Sequence, residues 1–210
     1  MSRTHAKALL VATGNPGKLR EIRALLPEYA GQIVGLDAFP DLVLPPETGH
    51  SFAENAATKV TAAAEATGLA VVADDSGLEV DALGGRPGVR SARFAGEHAD
   101  DEANNRLLLD LLKDVPDCRR TARFICAIAW GLPGQEPEVT VARCRGLVLR
   151  APRGFNGFGY DPLFYYPPAG RTFAQLAPEE KNAVSHRARA LGQARSGLLD
   201  MLGRMADGRV

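Results

Sequence analysis

The chain is poor in several residue types, and each shortage excludes something. Three cysteines (Cys118, Cys126, Cys144) in 210 residues, with no CxxC spacing, leave neither a disulfide framework nor a thiolate metal knuckle, and imply reduced thiols. No apolar run approaches the roughly 18 residues of a membrane span, and the N-terminus lacks the apolar core and small-residue cleavage site of a secretory leader. A cytoplasmic protein without a membrane partner is therefore expected. Net charge is zero, with −6 over residues 1–105 and +6 over 106–210. Without a dominant basic stripe, a nucleic-acid polymer is a poor candidate partner. Lysine is scarce, with five against twenty arginines. In so arginine-rich a chain, a retained lysine points to a place where a compact point charge suits the chemistry, as at a phosphate.

What is present reads as one mixed α/β domain over residues 1–210. Ala8–Ala12 is a short apolar run followed by Thr13-Gly14-Asn15-Pro16-Gly17-Lys18 and a helical pattern ending at Pro27. Ile33–Leu36 reads as a second strand and Asp41–Gly49 as a proline-containing loop. Ser51-Phe52-Ala53-Glu54 fits a capping box opening an alanine-rich helix to Gly68. Leu69–Ala73 is a buried-type strand that the pattern ends at Asp74-Asp75-Ser76-Gly77. A glycine- and arginine-rich loop over Gly84–Gly96 precedes a helix over Asp100–Lys113. Thr121–Trp130 and Glu138–Leu149 form a hairpin, and Leu163–Tyr166 is another strand. The end, from about Pro178 to Met205, is helical with a break near Ser185.

Four segments carry chemistry. A glycine-rich turn between strand and helix offers backbone N–H groups and a positive dipole end to phosphate, although Ala12 and Leu19 depart from a Walker A loop. Asp74 and Asp75 stand at the end of a buried-type strand, where α/β sheets bind ligands, and supply the hard oxygens that suit Mg²⁺. Strand alternation sends the two carboxylates to opposite sides. Gly157-Phe158-Gly159-Tyr160-Asp161 alternates glycine with aromatics and would expose two rings for stacking a nucleobase. Lys181, His186 and Arg187 add donors near a helix start. No GxSxG, Ser/His/Asp order or Cys/His pair indicates a covalent nucleophile and no HExxH a zinc site, so the set describes nucleotide chemistry by Mg²⁺-assisted water attack.

Five ordered segments extend this reading: Thr13–Lys18, Glu47–Ala56, Ala73–Gly88, Gly157–Phe164 and Lys181–Arg187. Together they resemble the inosine/xanthosine triphosphate pyrophosphatases, which hydrolyse non-standard purine nucleoside triphosphates to monophosphate and pyrophosphate. The resemblance implies a long twisted mixed β-sheet flanked by helices, two lobes with the active-site cleft between them, and a homodimer. On these residues it implies that Thr13, Gly14, Asn15, Pro16, Gly17 and Lys18 hold the triphosphate with Lys59. It implies that Glu47 and Asp75 bind Mg²⁺, with Asp75 also the proton acceptor and Ser76 touching substrate. Phe158, Gly159, Tyr160, Asp161, Lys181, His186 and Arg187 would form the base and sugar pocket. Two rivals remain: a Maf-type pyrophosphatase of similar fold acting on other nucleotides, and a nucleotide-binding regulator without turnover.

Overall fold

The computed structural model describes residues 8–97 and 100–206. Seven strands form one mixed sheet in the order β2-β1-β3-β4-β5-β6-β7. In chain order these are β1 (Leu9–Val11), β2 (Ile33–Val34), β3 (Ala70–Val80), β4 (Thr121–Gly131), β5 (Glu138–Val148), β6 (Phe164–Tyr166) and β7 (Arg171–Thr172). β1 pairs in parallel with β2 and with β3, while β6 pairs antiparallel with β5 and β7. The helices are α1 (Pro16–Leu25), α2 (Phe52–Thr67), α3 (Asp101–Leu111), α4 (Pro178–Val184) and α5 (His186–Ala206).

Local chemistry accounts for the helix ends. Asn15 caps α1, its Oδ1 accepting from Gly17 N at 2.8 Å and Lys18 N at 3.1 Å, and Pro16 takes the first helical position. Ser51 Oγ accepts from Glu54 N, and the Glu54 carboxylate turns back to accept from His50 N. α2 stops at Gly68, whose φ of +73° is the left-handed end that glycine adopts without steric cost. Ser185, extended at φ −67° and ψ 162°, separates α4 from α5.

The chain forms two compact units, one from segments 8–75, 126–142 and 187–206, the other from 76–125 and 143–186 as far as they are described. Each has its own core. In the first, Leu9, Val11, Val72, Ile128 and Trp130 meet Ile22, Ala194 and Leu198. In the second, Leu78, Val80, Leu108, Phe124, Phe164 and Phe173 pack together. Fully burying such a side chain contributes about 1.5–3 kcal/mol, enough for either cluster to hold its strands to its helices.

The expected end of β3 is corrected. β3 does not end at Asp74 but runs on to Val80, because Leu78 and Val80 are fully buried and continue the apolar alternation beyond the acidic pair. Read locally, Asp-Asp-Ser-Gly has the composition of a turn; packing makes it strand. The two-residue strand β7 is too short to leave a pattern in the sequence.

Candidate active site

The acidic pair lies where β1 ends beside a strand that continues. Val11, the last residue of β1, is in register with Val72, so the Thr13–Lys18 loop leaves the sheet next to Asp74 and Asp75. The two carboxylates do face opposite ways. Asp74 belongs to the side covered by α1 and α5, and Asp75 to the side covered by α2.

Around Asp75, the Lys59 ammonium is 3.1 Å from Oδ1 and 2.5 Å from Glu47 Oε1. Asn55 donates to Asp75 Oδ2 at 3.1 Å and accepts from Gly49 N at 2.8 Å, tying the loop that carries Glu47 to the strand. Asp75 and Lys59 are buried. Burial raises the Asp75 carboxyl above its ordinary value; Lys59 and then Lys18 pull it back, and Glu47 pushes it further up. Lys59 itself titrates above its ordinary value, since Asp75 and Glu47 together outweigh the burial that opposes its charge.

Asp74 is completely buried, and four donors converge on its side chain and carbonyl. Arg187 donates through Nε to Oδ2 at 2.9 Å and through Nη2 to Oδ1 at 3.3 Å. Lys18 Nζ lies 2.6 Å from Oδ1, the Cys126 thiol donates to Oδ2, and Lys59 Nζ reaches the Asp74 carbonyl. Burial alone would push this carboxyl up, but Arg187 and then Lys18 hold it well below the usual carboxylate range. The same burial, with the Asp74 charge, drives the Cys126 thiol up, so it stays a protonated donor. Arg187 is also paired with Glu21 of α1.

The first loop differs from expectation. The amides of Gly17 and Lys18 point to the Asn15 cap, and Asn15 N donates to Thr13 Oγ1. The loop therefore presents the Lys18 ammonium more than a row of open amides.

A second cluster lies within the other compact unit. Lys181 Nζ is 2.5 Å from Asp161 Oδ2 and 4.8 Å from the centre of the Phe158 ring. Asp161 also accepts from Phe158 N, and a Cβ on Gly157, at φ +77°, would come within 2.0 Å of that carboxylate. Glycine is required there on both counts. The loop exposes one ring, not two. Tyr160 turns inward and donates to the Ser91 carbonyl at 2.8 Å, because its ring fills the core beneath the loop, and Asp161 is buried with it. Phe158 remains the half-exposed ring. His186 is not the surface histidine its position at a helix start suggests; it is buried and stacked on Phe124 at 4.6 Å. Ser76, half-buried, follows Asp75 on β3.

Three participants escaped the sequence reading. Asn55 had a signal, a poor helix former inside an alanine-rich helix. Glu21 and Cys126 had none, since their partners lie far away in the chain.

Among the described residues no group of three or more His, Cys, Asp or Glu side chains gathers as a metal cage. Glu47 and Asp75, two hard carboxylates meeting one ammonium, fit Mg²⁺ instead, which takes one or two carboxylates and keeps waters and substrate phosphates for its other positions. No helix among these residues is long and apolar enough to cross a membrane.

A mixed β-sheet with helices packed on it, a lysine loop at the end of its first strand and a carboxylate pair buried beside it give the fold and polar centre of an α/β enzyme suited to nucleotide chemistry. Residues 9–196 match the sequence model of the Ham1 family. The chain is 53% identical over 185 residues to the dITP/XTP pyrophosphatase of Geobacillus kaustophilus, covering 88% of this chain and 91% of that one. It is 52% identical to the enzyme of that name from Desulforamulus reducens, over 89% and 92% of the two chains. The structure of a HAM1 protein from Coxiella burnetii superposes with a TM-score of 0.82 at 40% identity, over 92% of this chain and 98% of that one. The chain belongs to the Ham1 family.

Proposed function

We propose that this protein is a nucleoside triphosphate pyrophosphohydrolase that converts non-standard purine nucleotides (ITP and dITP, XTP and dXTP) to the monophosphate and pyrophosphate. The observation that carries this reading is Asp75: a buried carboxylate with a raised pKa, sharing Lys59 with Glu47, in a chain without a nucleophile motif. A base is most effective when its pKa approaches the working pH, and burial moves Asp75 in that direction.

In this reading Asp75 accepts a proton from water as the water oxygen bonds to the α-phosphorus. The bond from that phosphorus to the bridging oxygen breaks, and pyrophosphate leaves. Mg²⁺ held by Glu47 and Asp75 would neutralise phosphate charge and orient the triphosphate. Thr13 to Lys18 and Lys59 receive the phosphates, with Lys18 positioned by Asp74, and Ser76 lies beside the reacting group. Phe158 stacks on the purine, Gly159, Tyr160 and Asp161 shape its loop, and Lys181 and His186 line the base and sugar pocket. Arg187, a donor-only group oriented by Asp74 and Glu21, reads the 6-oxo group that distinguishes these bases from adenine. The protein works on the free nucleotide pool of the cytoplasm, as a homodimer.

Pyrophosphate release with Mg²⁺ across ITP, dITP, XTP, GTP, ATP and dTTP tests the reading. Turnover of ITP, dITP and XTP well above the others, with monophosphate and pyrophosphate in equal amounts, is the expected result. Turnover confined to dTTP would replace it with the Maf-type reading, and binding without turnover with a regulator.

A further inference from the structure

Gly159 is held from outside its own loop. Its N–H donates to Asp101 Oδ2 at 2.7 Å, and its carbonyl accepts from Asn105 Nδ2 at 2.9 Å. Asp101 and Asn105 stand four residues apart on α3, hence on one helix face, and grip the polar groups on both sides of one residue. The backbone N–H groups on either side stay within the loop, Phe158 N–H donating to the Asp161 carboxylate and Asp161 N–H to the Phe158 carbonyl, while the Tyr160 and Asp161 side chains are anchored on Ser91 and Lys181. Gly154, Gly157 and Gly159 all have positive φ, the last at +61°. Three such glycines make the loop costly to order, because glycine has the most backbone freedom to lose. Tethers from a rigid helix remove that cost before any ligand arrives, which is how pre-organisation improves binding.

We propose that Asp101 and Asn105 are positioning residues for purine binding, fixing through Gly159 the loop that presents Phe158 and the Lys181–Asp161 pair. The proposal rests on the reading of residues 158–161 as the base-holding loop. Neither residue touches the base in this account; both act through the Gly159 backbone. The choice of side chains is specific. Asp101 must accept and Asn105 must donate, and the Asn105 side-chain oxygen makes no hydrogen bond of its own. A carboxylate at position 105 would face the Gly159 carbonyl with a charge instead of a donor.

The test is steady-state kinetics with ITP, the Mg²⁺ requirement and the thermal midpoint for Asp101→Ala, Asn105→Asp, their double variant and Phe158→Ala. Asp101 is exposed, so its truncation leaves the core intact. Each single variant should raise the ITP KM about tenfold, a hydrogen bond's worth of ordering, with kcat changed less than about threefold and the Mg²⁺ requirement unmoved. The double variant should cost less than the product of the singles, because both act on one residue. Asp101→Asn keeps an acceptor and should recover most of the KM. A raised KM in Phe158→Ala beside unchanged KM in the α3 variants would overturn the positioning role and leave the base-loop reading standing. An unchanged KM in Phe158→Ala would remove the base-loop reading and this proposal with it. Equal losses in kcat, KM and thermal midpoint, without recovery by Asp101→Asn, would reduce the two residues to structural supports.

Discussion

Arg187 and Asp74, 113 positions apart in the chain, form a buried two-point ion pair in which the guanidinium meets the carboxylate through Nε and Nη2. Asp75, the next residue, has the opposite electrostatic character. The neighbours of Asp74 favour its charge, whereas the surroundings of Asp75 resist it.

Substituting each aspartate by asparagine should therefore give opposite signatures. Asp74→Asn leaves Arg187 and Lys18 without their shared carboxylate and should cost stability by about 3–5 kcal/mol, the range for breaking a buried pair. The folded pKa of Asp74 lies below the ordinary 3.8, so its stabilising contribution is present above that value and lost as pH falls below it. The variant's melting temperature should be lower at neutral pH and should change less than the native one across that acid range. Asp75→Asn removes a carboxylate whose folded pKa is raised, a group that favours folding most at low pH and loses that advantage as pH rises. It should melt no lower than the native protein near neutrality, yet turn over ITP about 10²–10⁴-fold more slowly. Near-native turnover would exclude Asp75 as the base.

Glu47→Gln should act on the metal requirement. Glu47 is the more exposed carboxylate of the pair meeting Lys59, with 29% of its side chain accessible against 6% for Asp75. Its loss should shift the Mg²⁺ titration of ITP turnover to higher concentration, with a smaller change in the rate at saturating Mg²⁺. An unchanged titration would remove Glu47 from the site.

Lys18→Arg should fail to replace the lysine. The ammonium sits 2.6 Å from Asp74 Oδ1, and Arg187 already occupies the same carboxylate with its planar fork. A second guanidinium is longer and cannot act as a compact point charge. The KM for ITP should rise in Lys18→Arg nearly as far as in Lys18→Ala; native affinity in the arginine variant would show that charge alone suffices.

Arg187→Lys should loosen base discrimination. Lysine keeps a cation for Asp74 and Glu21 but lacks the rigid donor fork they hold in place. The ratio of kcat/KM for ITP to that for ATP should fall towards one, chiefly through loss of the ITP reaction. Discrimination against a missing hydrogen-bond partner can reach ~10⁴–10⁵ where a site is built for it. Equal losses on both nucleotides would assign Arg187 to anchoring Asp74 and Lys18 alone.

By itself the sequence determined what rests on short-range chemistry. The Asn15 cap with Pro16, the Ser51–Glu54 cap, the Gly68 stop, the β4–β5 hairpin and the break at Ser185 are each set by residues within a few positions of one another, and all are found in the structure. The five ordered motifs carried the resemblance to the inosine/xanthosine triphosphate pyrophosphatases, and the family match over residues 9–196 agrees with it. Strand alternation also required Asp74 and Asp75 to face apart. It could not say which of them would meet Arg187 and Cys126, and which Lys59 and Glu47, because those partners arrive from other elements. Only tertiary structure turned the Asp-Asp-Ser-Gly stretch into mid-strand, by burying Leu78 and Val80 beyond it. It alone turned Tyr160 and His186 inward, where packing against Ser91 and Phe124 outweighs their local preference for the surface. The hold of α3 on Gly159 spans more than fifty positions and uses backbone groups, which carry no sequence signal.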